Sequence, residues 1–300
     1  MRNGIVYQPT GDSDRARMCN YHRKPSALNH NWGAHEVDVK NIKRFVKGDS
    51  GNGYQSPYTI GFEIEKSEFG RGQRKEYALF CGFERDGSCG VEAVTNILPL
   101  LPPSQWRNKV FDMMYRAKGI IEDDYSPSNQ RCGGHITIAV DGMTGDELRG
   151  AIRLNASIFL ALFRKRLDNQ YCRRNIKMRS QDEAMVLADS NPRFNDWHRK
   201  YQMALVKGEC LEFRVPSRVR SVKQMMRRYE LMYHIVHFSV TKPNGKFSAL
   251  LRTVEPILLS MYEGDTEKVE QIKFLSKEFY KWMKSGDDGR PSRHIAEYIF

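Results

Sequence analysis

The sequence predicts an α+β protein in which most strands come early in the chain and most helices come late. Short segments with apolar residues at every second position recur between residues 59 and 215, separated by turn-forming residues. From residue 222 onward the apolar residues instead recur at helical spacing. A run of strands followed by a run of helices is typical of this class.

The bulk composition indicates a globular protein with a basic surface. A chain of 300 residues can bury a good core as one large domain or two small ones. Its 40% hydrophobic and 11% aromatic content excludes a disordered protein. The net charge of +12 attracts polyanions such as nucleotides, nucleic acid or an acidic surface, but it does not choose among them.

Cellular location is predicted from three absences in the sequence. Met1-Arg2-Asn3-Gly4 leads into polar residues, so we expect no signal peptide, and no stretch is apolar enough to span a membrane. The cysteines are scattered without a CxxC pair, which favours reduced thiols. They are Cys19, Cys81, Cys89, Cys132, Cys172 and Cys210. We therefore expect a cytoplasmic protein.

Residues 1–55 are predicted to form a basic arm or extension ahead of one main domain, residues 56–300. This part is rich in Gly, Asn, Ser, His and basic residues and ends in a run of turn formers, residues 48–53. It also holds a group of potential zinc ligands that lack the usual paired spacing, so polar surface residues are the simpler interpretation. They are Cys19, His22, His30 and His35.

The most informative strand is predicted over residues 59–65. The period of two directs Ile60, Phe62 and Ile64 to one face. Glu63 and Glu65 share the other face, where two carboxylates repel each other and lose hydration. A divalent cation held by oxygen ligands would compensate both effects.

Other predicted strands supply further polar side chains. Strands over residues 75–83 and 89–95, joined by a tight turn, place a third acid at Glu92. In the strand over residues 133–140, two glycines permit close approach of a backbone or ligand just before His135. His135 alone is more often a structural histidine than a ligand. A strand over residues 209–215 puts Glu212 and Arg214 on one face.

Helices are predicted over five further segments. Ser104 caps one that ends near residue 119, and Thr144 with Glu147 forms a capping box that opens a long one running to about residue 163. The remaining three cover residues 222–240, 249–262 and 266–284, where Met and Tyr side chains are core. Residues 122–133 are predicted as an exposed loop and residues 189–208 as irregular.

A basic cluster follows the long predicted helix. Its members are Arg164, Lys165, Arg166, Arg173, Arg174, Lys177 and Arg179. A solvated basic face and a contact with a nucleotide or other polyanion both fit this composition. In the second interpretation, Arg173, Arg174 and Arg179 bind the nucleotide.

The order of these motifs resembles that of the amidoligase family of carboxylate–amine ligases, relatives of glutamine synthetase and glutamate–cysteine ligase. The matching motifs are Gly61-Phe62-Glu63-Ile64-Glu65, Asp86-Gly87-Ser88 with the later Glu92, Gly134-His135, and Leu211-Glu212-Phe213-Arg214. The resemblance covers roughly residues 57 to 240. It implies a glutamine-synthetase-like, curved and largely antiparallel sheet that holds ATP and Mg²⁺ or Mn²⁺.

The resemblance also implies roles for individual residues. The metal ligands would be Glu63, Glu65, Glu92, His135 and Glu212. Arg214 would contact phosphate or the substrate carboxylate. Thr137 stands where the family has the second histidine of a His-x-His pair, and its hydroxyl can still donate to a nucleotide phosphate, although it carries no charge.

The chemistry that these residue types suit is ATP-driven joining of a carboxylate to an amine. The acid is first phosphorylated to an acyl phosphate, which the amine then attacks, and Asp86 can take the proton of that amine. Metals and a guanidinium neutralise the transferred phosphoryl group. The partners expected are therefore a carboxylate and an amine substrate, with a homo-oligomer left open and no membrane.

A second interpretation keeps the fold without the catalysis. The +12 charge, the basic arm and Thr137 in place of a histidine also fit a basic protein, such as one encoded by a virus or mobile element. Such a protein would bind nucleic acid or a protein assembly, with salt-sensitive affinity. A third interpretation, in which the acids are solvated, does not explain why they share strand faces with apolar neighbours.

Overall fold

The computed structural model describes residues 56–67, 79–86, 89–95, 98–122, 132–166, 204–207 and 210–284. The predicted arm, its potential zinc ligands and the arginines at positions 173, 174 and 179 lie outside these residues. The chain divides into two compact units. Unit 1 comprises Met1–Leu148, Val206–Glu212 and Ser217–Tyr233, and unit 2 comprises Arg149–Leu205, Phe213–Pro216 and His234–Phe300.

The β-structure is an open, antiparallel, seven-stranded sheet, which confirms the α+β class. Its strands are β1 (Tyr58–Lys66), β2 (Phe80–Asp86), β3 (Gly90–Thr95), β4 (Leu98–Pro99), β5 (Ile136–Val140), β6 (Ala204–Lys207) and β7 (Cys210–Phe213). Their order across the sheet is β2-β3-β1-β5-β7-β6, and β4 also pairs with β1. Strand β1 is therefore central, with β3 and β4 along one edge and β5 along the other.

Strand β1 is buried on both of its faces, unlike a strand that has one face in solvent. All nine of its residues are buried. Ile60, Phe62 and Ile64 form the apolar face, as the alternation predicts. Lys66 is also buried, and its ammonium donates to the carbonyl oxygen of Ile121 at 3.2 Å. That hydrogen bond partly compensates the loss of hydration.

The helices agree with the predicted segments in most places. They are α1 (Gln105–Arg116), α2 (Lys118–Ile121), α3 (Gly145–Ile152), α4 (Ser157–Leu162), α5 (Val222–Thr241), α6 (Phe247–Met261) and α7 (Thr266–Lys284). Ser104 caps α1 by accepting from the backbone N–H of Arg107 at 3.3 Å. The capping box is present as well, since the Glu147 carboxylate accepts from the Thr144 backbone N–H at 2.7 Å.

Several predictions about element boundaries were wrong. The strand predicted over residues 133–140 begins at Ile136, so His135 precedes it, and the strand predicted over residues 209–215 ends at Phe213. The long helix after Thr144 is two helices, because residues 153–156 form turns, and the Asn155 side chain donates to Ser239 Oγ at 2.9 Å. Residues 204–207, predicted as irregular, form β6, a strand whose four residues are too few to show a clear period. Strand β2 continues to Asp86, which was predicted to begin the turn.

Within unit 1, hydrogen bonds connect α5 to β4 and to the loop that follows it. The Tyr229 hydroxyl donates to the Pro99 carbonyl oxygen at 2.6 Å and accepts from the Leu101 backbone N–H at 2.8 Å. Arg107 donates to the Leu101 carbonyl oxygen and lies 3.5 Å from the Glu230 carboxylate. These contacts hold the loop that follows β4.

Unit 2 is packed mainly by aromatic and aliphatic side chains. Phe159 of α4 stacks on Phe213 with ring centroids 5.6 Å apart, and Phe247 of α6 stacks on Tyr280 of α7 at 4.5 Å. The predicted apolar positions of α7 are buried, namely Val269, Ile272, Leu275, Phe279 and Met283. Within the described ranges, no helix combines the length and apolar composition that crossing a bilayer requires.

Candidate metal centre

Two carboxylates of β1 and one of β3 lie in register on the polar face of the sheet. Glu63 is 5% and Glu65 4% exposed, and the antiparallel pairing of β1 with β3 sets Glu65 directly opposite Glu92. Like charges opposite each other across two strands are destabilising. The face therefore needs a positive partner, as the alternation in the sequence predicted.

His135 lies between the two acids of β1. Its Nδ1 is 2.6 Å from Glu63 Oε2, and its Nε2 is 3.2 Å from Glu65 Oε1. The other oxygen of Glu65 accepts from the backbone N–H of Gly133 at 2.5 Å. All three side chains are buried, and their ligand atoms lie within 4.8 Å of one another.

The two contacts of the imidazole differ in length. The separation of 2.6 Å between Nδ1 and Glu63 Oε2 is that of a charge-assisted hydrogen bond. When Nδ1–H is the donor in this bond, Nε2 is the ring nitrogen left for a cation. The 3.2 Å between Nε2 and Glu65 Oε1 fits a hydrogen bond, and it also fits two ligands bound about 2.1 Å from one ion, which lie roughly 3.0–3.4 Å apart. A carboxylate behind a metal-binding histidine is a common arrangement.

Gly133 and Gly134 allow the close backbone contacts that position His135. Gly133 forms a bridge with Ser217, and the backbone N–H of Glu63 donates to the His135 carbonyl oxygen at 3.1 Å. A Cβ on Gly134 would come within 2.6 Å of the Ser217 carbonyl oxygen. Only glycine fits at this position, which confirms the close approach of another backbone that the sequence predicted.

The remaining predicted ligands, Glu92 and Glu212, are not part of the group formed by Glu63, Glu65 and His135. Glu212 is fully buried in β7, the neighbour of β5 in the sheet, and Glu92 is buried in β3. Among the described residues, neither belongs to a set of three possible ligand atoms within 4.8 Å. Their roles as metal ligands remain predictions.

The other predicted site residues are only partly placed. Thr137 pairs with Gly61, and its buried hydroxyl has no hydrogen-bond partner within the described part of the chain. Asp86 ends β2, opposite Gly90. Arg214 is buried and lies just beyond the end of β7, and its placement on one face with Glu212 remains a prediction. Arg166, of the basic cluster, donates to the Val215 carbonyl oxygen at 3.1 Å and is not part of a solvated face.

Sequence reasoning missed two cysteines and one acid. The thiols of Cys89 and Cys132 and a carboxylate oxygen of Glu65 form a second group of possible ligand atoms within 4.8 Å. The signal was position, since Cys132 directly precedes Gly133 and Cys89 directly precedes β3. Glu84 of β2 pairs with Glu92, so positions 65, 92 and 84 align across three strands.

Arg218 interacts electrostatically with Cys132 of this second group. Burial lowers the pKa of its guanidinium, a neighbouring Arg220 lowers it further, and the interaction with Cys132 opposes both.

Comparisons with known proteins gave no match. This holds for profiles of protein families, for curated proteins and for solved structures.

Proposed function

We propose that this protein is an ATP-dependent carboxylate–amine ligase of amidoligase type that uses Mg²⁺ or Mn²⁺. The observation that carries the proposal is the convergence of Glu63, Glu65 and His135, three of the five predicted ligands, on the polar face of an antiparallel sheet. Carboxylate oxygens with one imidazole suit these cations, and Mn²⁺ in particular. The finer identity of the sheet as glutamine-synthetase-like belongs to this proposal.

Three residues would form the cation-binding part of the site. Glu65 and His135 would hold the cation, and Glu63, whose Oε2 lies 2.6 Å from His135 Nδ1, would orient the imidazole. When bound, the cation neutralises charge on the transferred phosphoryl group. Besides orienting the imidazole through Oε2, Glu63 stays a predicted ligand of the cation through its carboxylate.

The residues around this centre would bind the reactants. Thr137, on the strand beside β1, is placed at Gly61 and would donate its hydroxyl to a nucleotide phosphate. Arg214 would bind phosphate or the substrate carboxylate, and Asp86 would accept the proton of the attacking amine. Arg173, Arg174 and Arg179 would add charge at the nucleotide. The products are an amide, ADP and phosphate.

Metal-dependent nucleotide binding tests this function without knowledge of the substrates. We expect the wild-type chain to bind Mn²⁺, and ATP only with Mn²⁺, in calorimetric titrations. His135→Asn and Glu63→Gln should each weaken Mn²⁺ binding 10-fold or more, because loss of a ligand or of its orienting partner costs about 10- to 100-fold in affinity. Phosphate release with mixed carboxylates and amines should fall in parallel.

The matched control is Glu267→Gln, which makes the same chemical change at an exposed position of α7. It should leave Mn²⁺ affinity unchanged. If both site variants fold and bind Mn²⁺ as the wild type does, the assignment fails. If the wild type instead binds polynucleotides with strong salt dependence and neither Mn²⁺ nor ATP, the +12 charge reflects a non-catalytic binding protein.

A further inference from the structure

Two buried cysteines lie near the carboxylate of Glu65 and form with it a group that does not include His135. Cys89 precedes β3 and Cys132 precedes the Gly133-Gly134 pair. Their sulfur atoms and one Glu65 oxygen are mutually within 4.8 Å, and all three side chains are buried. Strand β1 and the segments that precede β3 and β5 bring them together from distant parts of unit 1.

Ordinary packing does not account for this arrangement. A buried cysteine usually behaves as a small hydrophobic residue, but a carboxylate is a poor neighbour for such a residue because it loses hydration. Here two thiols lie within 4.8 Å of a carboxylate oxygen of Glu65. The Glu65 carboxylate also accepts a hydrogen bond from the Gly133 N–H. Cys89 Sγ lies 3.6 Å from the Val91 carbonyl oxygen, the contact of a weak thiol donor.

The spacing matches a tetrahedral metal site. With Zn–S bonds of about 2.3 Å and Zn–O bonds of about 2.1 Å, two sulfurs on one ion lie roughly 3.8 Å apart and a sulfur and an oxygen roughly 3.6 Å apart. Separations of up to 4.8 Å can close to these values by small side-chain rotations. Three protein ligands would leave the fourth position of the tetrahedron for water or another ligand.

The charges also balance. Two thiolates and one carboxylate carry three negative charges, and a divalent cation leaves one of them. Arg218, which interacts electrostatically with Cys132, can compensate the remainder. The Gly133 N–H holds the carboxylate of Glu65 in place, as outer-shell donors do at metal sites.

We propose that Cys89, Cys132 and Glu65 bind a thiophilic divalent cation, for which zinc is the best match. Thiolate ligands select zinc over Mg²⁺ and Mn²⁺, which the oxygen-rich group with His135 prefers. Glu65 belongs to both groups and is placed to bridge the two ions. The zinc site does not depend on the proposed ligase function.

Cobalt substitution tests the proposal on the full chain under reducing conditions. Titration with Co²⁺ should produce a thiolate-to-cobalt charge-transfer absorption and the visible bands of tetrahedral cobalt, and Zn²⁺ should abolish both. Cys89→Ser and Cys132→Ser should each lose most of the charge-transfer absorption. Cys210→Ser, a buried thiol of β7 outside the group, should keep it.

His135→Asn separates this proposal from the ligase proposal. It should weaken Mn²⁺ binding and leave the thiolate–cobalt absorption unchanged. An absorption that is absent in the wild type, or equally strong in Cys89→Ser and Cys132→Ser, overturns the zinc site whatever the Mn²⁺ result. A Cys89–Cys132 disulfide that forms readily in a chain without affinity for Zn²⁺ or Co²⁺ overturns it as well.

A measurement on the wild type guards against variants that fail to fold. Alkylation of the thiols in mild denaturant, mapped by mass spectrometry, should proceed faster at Cys89 and Cys132 when a chelator replaces zinc. Cys210 should show no such difference. Equal alkylation of Cys89 and Cys132 with zinc and with chelator contradicts the proposal.

Discussion

The two faces of β1 are equally buried but chemically opposite. Ile60, Phe62 and Ile64 on one face are fully buried among apolar side chains, whereas Glu63 and Glu65 on the other are almost as deeply buried. Burying a large apolar side chain contributes about 1.5–3 kcal/mol to folding. Burying carboxylates costs free energy unless a partner compensates. One face of β1 therefore stabilises the fold, and the other makes binding a cation favourable.

The difference between the two faces of β1 is greatest at Glu65. It faces Glu92 across the strands, and both groups of possible metal ligands contain it. An apolar residue at this position would remove the repulsion and both sites together. A protein selected for stability alone would have little reason to keep an acid there.

The largest effect on stability is expected on the apolar face. Phe62→Ala should lower the free energy of unfolding by about 3–5 kcal/mol, because it leaves a cavity beneath the centre of the sheet. Chemical denaturation of the apo chain measures this. Phe274→Ala, at a partly exposed position of α7, is the control and should change stability by less than about 0.5 kcal/mol. A loss below 1 kcal/mol for Phe62→Ala would show that β1 is not the centre of the core.

On the polar face we expect a smaller change in the free energy of unfolding, and an increase instead of a decrease. Glu65→Gln keeps an acceptor for the Gly133 N–H and removes a charge opposite Glu92. In buffer with chelator it should raise the free energy of unfolding by about 0.2–1 kcal/mol. The stabilisation by both Mn²⁺ and Zn²⁺ should largely disappear, since ligand binding to the native state supplies it.

Denaturation with and without each cation measures both parts of that prediction. Glu267→Gln provides the exposed control. A Glu65→Gln chain that is less stable than the wild type in chelator would mean that the acid contributes to the fold itself. Both faces of β1 would then stabilise the fold.

The smallest effect on stability is expected at Thr137. Thr137→Val removes a buried hydroxyl that has no hydrogen-bond partner among the described residues, so the free energy of unfolding should change by less than about 1 kcal/mol. Affinity for ATP with Mn²⁺ should nevertheless fall several-fold. Thr59→Val, which removes a second such hydroxyl from β1, should leave that affinity intact. Equal losses in both variants would argue against a phosphate contact at Thr137.

Much of the fold was predictable because its signals are local. The alternation over residues 59–65, the capping box at Thr144 and the apolar spacing of α7 depend on neighbours only a few residues away. The break after Ile152 was not predictable, because the Asn155 side chain bonds to Ser239, far along the chain. Strand β6 was missed because four residues carry too little pattern.

Only the part of the candidate site that depends on local signals was predictable. Alternation put Glu63 and Glu65 on one face, and the glycines marked His135, but periodicity carries no distances between strands. Pairing of β1 with β5 and the close approach at Gly134 bring His135 to both acids, while Glu92 and Glu212 lie outside that group. The motif order could not distinguish these outcomes.

The sequence by itself determined which side chains of each strand share a face, because side-chain direction follows from the two-residue period of the backbone. It also determined that Glu63 and Glu65 would need a positive partner. Only the tertiary structure decided which partners come within reach. Register and chain geometry, which depend on contacts between distant residues, brought His135 and the thiols of Cys89 and Cys132 to Glu65.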